Sequence, residues 1–172
     1  MVTTSRTAAG AFLAISVLCG CAPKPQSEVA RGRYLVQILQ CGDCHTPGAL
    51  TPHPDGKRLL AGSDVEFEVA GEGVFVPPNL TPEPQTGLGK WSKAQIVTAL
   101  TTGVTPQGRI LSAAMPWADF KALTPGDAMA IAAYLKSLPP VANKTPGPGP
   151  EKQLPPNTLE SIVSRPPPRS AP

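Results

Sequence analysis

Large rings are scarce in this chain. Phe, Trp and Tyr together make up 5% of its 172 residues, so side chains alone offer little of the bulky material that usually fills a core. Histidine occurs twice, and no second Cys or His pair accompanies Cys41 and Cys44, which argues against a four-ligand structural zinc site. A basic stripe is also lacking. Between Glu28 and Ser137 there are nine Lys and Arg against ten Asp and Glu, so the formal charge of +3 comes from the two ends and no nucleic-acid partner is expected. The uncharged stretch Ala8–Leu18 is eleven residues long, short of the ~20 that cross a bilayer.

What the chain does have is Cys41-Gly42-Asp43-Cys44-His45. A C-x-x-C-H run is the attachment site of a c-type haem. Two thiols separated by two residues can reach the two vinyl groups on one side of the porphyrin, and the histidine directly after them then lies under the ring, where its imidazole can bind iron. A thioredoxin-like dithiol would follow a strand, whereas a helical pattern leads into this motif. One covalent haem c is therefore expected, with Cys41 and Cys44 holding the ring and His45 on the metal.

The remaining cysteines lie near the start. Residues 1–20 read as an export signal of the lipoprotein type, with Arg6 ahead of the apolar stretch and Leu18-Cys19-Gly20-Cys21 matching a bacterial lipobox whose last cysteine, Cys21, takes lipid. That places the protein on the periplasmic side of a bacterial membrane, lipid-anchored. Ordinary cleavage would leave it soluble in the periplasm instead. No cysteine pair is left for a disulfide. Residues 21–27 form a short tether, 28–139 one domain, and 140–172 a proline-rich tail. From Pro139 to Pro172 there are eleven prolines in 34 residues, too few backbone donors and too little apolar mass for a core. The tail is expected to be disordered or polyproline II.

Within the domain, Glu28–Gln40 reads as a helix. Tyr34, Leu35, Ile38 and Leu39 make an apolar stripe at spacings of three and four, and Gly32 marks a place where another backbone packs closely. A second helix starts at the S-x-x-Q capping box Ser92–Gln95 and stops at Gly103. A third runs from Pro125 to Ser137, capped by Thr124, with Ala128, Ile131, Leu135 and Leu138 on one face. Pro116 opens a short helical turn over Trp117–Leu123. Between His45 and Trp91 there is no helical period. Val65, Phe67 and Val69 alternate with acids, and a four-residue turn over Ala70–Gly73 leads to Val74-Phe75-Val76, which suggests a small hairpin. A loop this long needs something to wrap, and the haem is the obvious core.

Iron needs a partner opposite His45, usually Met or His. Met115 sits in the loop Ser112–Trp117, where Pro116 pushes it toward extended backbone. Met129 lies on the third helix, where methionine usually just packs, and His53 lies in a turn-like segment that reads as surface. Trp91 and Arg109 could donate to a haem propionate, against core packing for the first and a solvated charge for the second. Asn79 could do the same or cap a turn.

Gly32-Arg33-Tyr34-Leu35, Cys44-His45-Thr46-Pro47, Asn79-Leu80-Thr81-Pro82, Gly87-x-Gly89-x-Trp91-Ser92 and Ala114-Met115-Pro116-Trp117 taken in order resemble class I c-type cytochromes. The likeness is to the domains that serve as electron-accepting subunits of bacterial alcohol, aldehyde and gluconate dehydrogenases. The resemblance covers about 28–140. It implies an all-α cytochrome c fold, three to four helices around a covalent haem with long wrapping loops, in which the first and last helices cross near Gly32 and Tyr134. It implies an electron carrier rather than an enzyme, whose redox partners are a periplasmic dehydrogenase or a respiratory-chain component. A gas or redox sensor whose Met115 is displaced, and a haem subunit of an oxidoreductase complex, are the rival readings.

Overall fold

The computed structural model describes residues 26–150; the segment expected to be an export signal, Cys21 with its expected lipid, and the tail beyond 150 lie outside the described residues. Four α-helices are present: α1 (Glu28–Ile38), α2 (Cys41–His45), α3 (Lys93–Thr102) and α4 (Pro125–Ser137), with short 3₁₀ turns at Gly56–Arg58 and Asp119–Ala122. One small antiparallel sheet pairs β1 (Phe67–Val69) with β2 (Gly73–Phe75) in the register Phe67 to Phe75, Glu68 to Val74 and Val69 to Gly73. The expected hairpin is there, closed through Gly71 at φ 76°. No helix among the described residues is long and apolar enough to cross a membrane.

Local chemistry sets the helix ends where the sequence placed them. Ser92 accepts from the Gln95 N–H while the Gln95 side chain returns to the Ser92 N–H, and Gly103 at φ 73° stops α3. Thr124 accepts from the Asp127 N–H ahead of Pro125 in the first turn of α4. Each satisfied end group is worth about 1 kcal/mol of helix stability.

The architecture rests on the crossing of α1 and α4. The crossing is tightest at Gly32, where a methyl group would run into the Ala130 carbonyl and stand 2.8 Å from Tyr134 Cβ. On α4 the whole run Ala130–Leu135 is buried, and its alanines keep the helix slim enough for that approach. Arg31 Nε donates to Asp127 at 2.8 Å, and the Arg33 guanidinium lies over the Tyr134 ring, 5.7 Å from its centroid. Helix α3 packs on α4 from another side. Leu35, Val36, Leu88, Ile96, Leu100, Phe120, Ile131 and Tyr134 form one buried cluster.

Two expectations need correcting. The buried face of α1 is Gly32, Leu35 and Val36, with Leu39 partly covered, whereas Tyr34 and Ile38 are 47% and 54% exposed. The glycine decides this: α4 sits on Gly32, so the covered positions are those three, four and seven residues on. The second concerns the chain after α4. The tail was expected to begin at 140, yet residues 141–149 are tied back onto the domain: Asn79 Nδ2 donates to the Val141 carbonyl at 2.7 Å, Asn143 Nδ2 donates to the Ala61 carbonyl at 2.8 Å, and Val74 and Gly149 exchange main-chain bonds of 3.0 and 2.8 Å. Proline-rich chain cannot make its own ladder, but its carbonyls and the few free N–H groups pair with side chains already present on the loops.

Gly32→Ala tests the crossing. Alanine is the better helix former, yet overpacking the contact should lower stability by about 1–3 kcal/mol, read as a lower urea midpoint. A variant as stable as the parent would mean that the helices separate at no cost.

Candidate haem site

The site is built on α2. Helix α1 stops because Gln40 takes the left-handed conformation at φ 56°, an uncommon and costly state for a side chain with a Cβ. The turn redirects the chain into the five residues Cys41–His45. A helical turn sets Cys41 and Cys44, three apart, on one face. Both thiols are free and half-buried. Burial pushes the Cys41 thiol up to about 11 and also raises that of Cys44. Both are thus protonated at neutral pH. A reactive dithiol needs the opposite, a depressed thiol pKa; S–H groups suit addition to a vinyl carbon.

His45 is buried, at 7% exposure, and burial holds its pKa below the ordinary histidine value. Its Nδ1 lies 2.7 Å from the Pro78 carbonyl. A carbonyl can only accept, so Nδ1 carries the proton and the Nε2 lone pair is left free. This is how metal-ligating histidines are generally oriented. The main chain is gripped too. The His45 carbonyl accepts from Gly62 N–H at 2.8 Å, and Thr46 Oγ1 accepts from the Leu60 N–H at 3.0 Å. Leu60 is fully buried and left-handed at φ 61°, so this bond holds a strained residue in place.

Met115 stands in a loop stapled at both ends. Leu111 N–H donates to the Gly103 carbonyl at 2.7 Å, Trp117 Nε1 donates to the Leu111 carbonyl at 3.2 Å, and the Trp117 ring lies against Gly103. Within it, Met115 N–H donates to Ser112 and Trp117 N–H donates back to the Met115 carbonyl. Met115 and Cys41 both pack, partly covered, against the one apolar cluster. Met129 is half-buried on α4, between the buried Ala128 and Ala130. The donors present fit a haem: two protonated thiols on one face, a neutral imidazole with a free nitrogen and a thioether in a fixed loop.

The propionate candidates fare differently. Trp91 packs on the apolar cluster. Arg109 is exposed in a tight turn, where its N–H donates to Thr105 Oγ1. Asn79 is only 1% exposed and takes the turn-capping role: Oδ1 accepts from the N–H and hydroxyl of Thr81, and Nδ2 is committed to Val141 and Thr86. That leaves its amide no proton for a propionate. His53 is exposed. The Pro78 carbonyl is invisible in sequence, since any residue carries one. Lys136, which donates to the carbonyls of Leu88 and Gly89 at 3.1 and 2.9 Å, is equally silent in sequence.

Thr46→Val removes the acceptor under Leu60 at nearly constant volume. The buried N–H left without a partner should cost about 1–3 kcal/mol, measured as a loss of thermal stability, while Thr46→Ser should stay near the parent. Equal stability of the valine variant would show that Leu60 does not need the bond.

A family model described as cytochrome c matches residues 29–139. Over 115 residues the chain is 38% identical to the fructose dehydrogenase cytochrome subunit of Gluconobacter japonicus, covering 63% of this chain and 22% of that protein. It is 37% identical over 126 residues to the cytochrome c subunit of a quinone alcohol dehydrogenase from Gluconacetobacter polyoxogenes, covering 70% and 26%. A diheme cytochrome c-type protein of Cereibacter sphaeroides matches at 30% over 113 residues, 66% of this chain and 37% of that one. The match thus spans between 22% and 37% of these longer relatives.

Proposed function

The chain belongs to the cytochrome c family, and on that premise we propose that it is a single-haem electron carrier, lipid-tethered on the periplasmic side of a bacterial membrane, working between a dehydrogenase and the respiratory chain. A cytochrome c domain implies a covalently bound haem c. In this reading Cys41 and Cys44 would hold the ring, and His45 and Met115 would bind the iron. The observation that carries it is the state of His45: buried, neutral, its Nδ1–H committed to Pro78 and its Nε2 left for iron.

The bound haem supplies one-electron exchange between ferrous and ferric iron. The chain does the rest. With His45 and Met115 both bound, the iron would keep no position for a substrate, which supports a carrier over an enzyme. Thioether ligation raises the potential. Burial of the imidazole and the fixed Met115 loop keep both donors where they are needed in either oxidation state, so little has to reorganise when an electron moves. The dehydrogenase partnership is drawn from the fructose and alcohol dehydrogenase subunits named above. The same relatives favour the second reading, that the chain is a haem subunit of such a complex.

Met115→Ala should open the iron to carbon monoxide and lower the reduction potential with covalent haem retained. Met129→Leu should leave the ligation spectrum as it is. A parent ferrous protein that binds carbon monoxide readily would favour the sensor reading instead.

The tether is tested separately. Acyl chains contribute ~0.8 kcal/mol per buried CH₂, and stable attachment takes two signals. Cys21→Ser should therefore move the holoprotein from the membrane fraction to the soluble one. A parent protein that is already soluble and unacylated rules the anchor out.

A further inference from the structure

Two loops grip His45, and the segment after α4 ties both. The first loop, 60–63, holds the main chain through Gly62 N–H and the His45 carbonyl, 2.8 Å apart. The second, 77–81, holds the ring through the Pro78 carbonyl at 2.7 Å. The loops are joined to each other, Ser63 N–H to the Pro77 carbonyl at 2.9 Å and Leu80 N–H to the Leu60 carbonyl at 2.8 Å. Residues 141–143 then close the outside of this pair. The Val141 carbonyl accepts from Asn79 Nδ2 at 2.7 Å, and the Val141 N–H donates to Thr81 Oγ1 at 3.2 Å. Asn143 Nδ2 donates to the Ala61 carbonyl at 2.8 Å, and its N–H to Thr86 Oγ1 at 3.1 Å. Asn79 and Thr81 are each 1% exposed, so little water competes for these bonds, and the low local dielectric strengthens them.

We propose, resting on His45 as an iron ligand, that Asn79 and Asn143 are positioning residues that lock this strap across the loops and thereby tune the histidine. The Pro78 carbonyl belongs to the planar peptide unit whose nitrogen is that of Asn79. Fixing Asn79 therefore fixes the direction in which that carbonyl points. A carbonyl accepting from Nδ1–H raises the basicity of the ligating imidazole, and a more basic ligand favours ferric iron. Loosening the strap weakens that bond, so the reduction potential rises. Loss of Met115 moves it the other way, so the two effects separate by sign.

The test uses the full-length holoprotein. Asn143→Ala removes the bond to Ala61 and keeps the main-chain bond to Thr86; adding Val141→Pro removes the donor to Thr81. Both variants should shift the potential upward, the double more than the single, and speed solvent exchange of the His45 Nδ1–H resonance, with the methionine ligation band retained. Lys136→Met, which loses two bonds to Leu88 and Gly89 away from the histidine, should lower the melting temperature and leave the potential unchanged. If the double variant yields no holoprotein, Asn143→Ala decides. Strap variants that melt earlier at the parent's potential and exchange rate would overturn the proposal while histidine ligation stands. A parent protein without a histidine-ligated spectrum would overturn the ligand assignment, and the strap's role with it.

Discussion

The close approach of Gly32 to the backbone of α4 at Ala130 is the constraint on which the rest depends. A mid-helix glycine costs about 1 kcal/mol against alanine, and here that cost admits a neighbouring main chain where any side chain would hold it off. Once α4 lies there, Leu35 and Val36 turn inward, and α1 ends where the left-handed Gln40 can redirect it. The direction of α2 follows, and with it the face that carries both thiols and the burial of His45. The alanine-rich inner side of α4 is the matching half of the same fit.

Around that pair of helices the domain is mostly loop, and loops must satisfy their polar groups without a ladder. Among the described residues no buried side-chain nitrogen or oxygen is left without a partner. The segment 79–91 shows how. Glu83 accepts from the main chain of Gln85 and Thr86 and from the Thr86 hydroxyl, and these bonds, that of the hydroxyl first, hold its carboxyl below the usual range. Asn79 fastens one end of the segment and Lys136 the other. Side chains of ordinary polarity replace regular secondary structure as the means of fixing this segment.

How much of this could be read from sequence follows from how far apart the interacting groups lie along the chain. The caps at Ser92 and Thr124, the stop at Gly103 and the hairpin turn are decided within four residues, and each stands where its local chemistry put it. The attachment motif is equally local. The face of α1 is not decided locally, because apolar spacing in a helix this short admits two stripes, and only the partner 96 residues away, in the pairing of Arg31 with Asp127, chooses between them. Asn79 could be read as a turn cap, but its second set of bonds goes to residues 62 and 64 positions on. A carbonyl such as that of Pro78 leaves no mark on composition or pattern at all.

That same separation has a consequence in time. The two halves of the central crossing lie about a hundred residues apart, Gly32 on one and Ala130 on the other, so the first helix cannot be covered until the far end of the domain reaches it. Closing so long a loop is also entropically costly, and no nearer helix can substitute for α4 at the glycine. Until it docks, the segment that carries the two thiols has only the loops around Gly62 and Pro78 to cover it. The topology therefore gives the folding chain an interval in which Cys41 and Cys44 are more open to whatever will modify them, and ends that interval when the last helix docks.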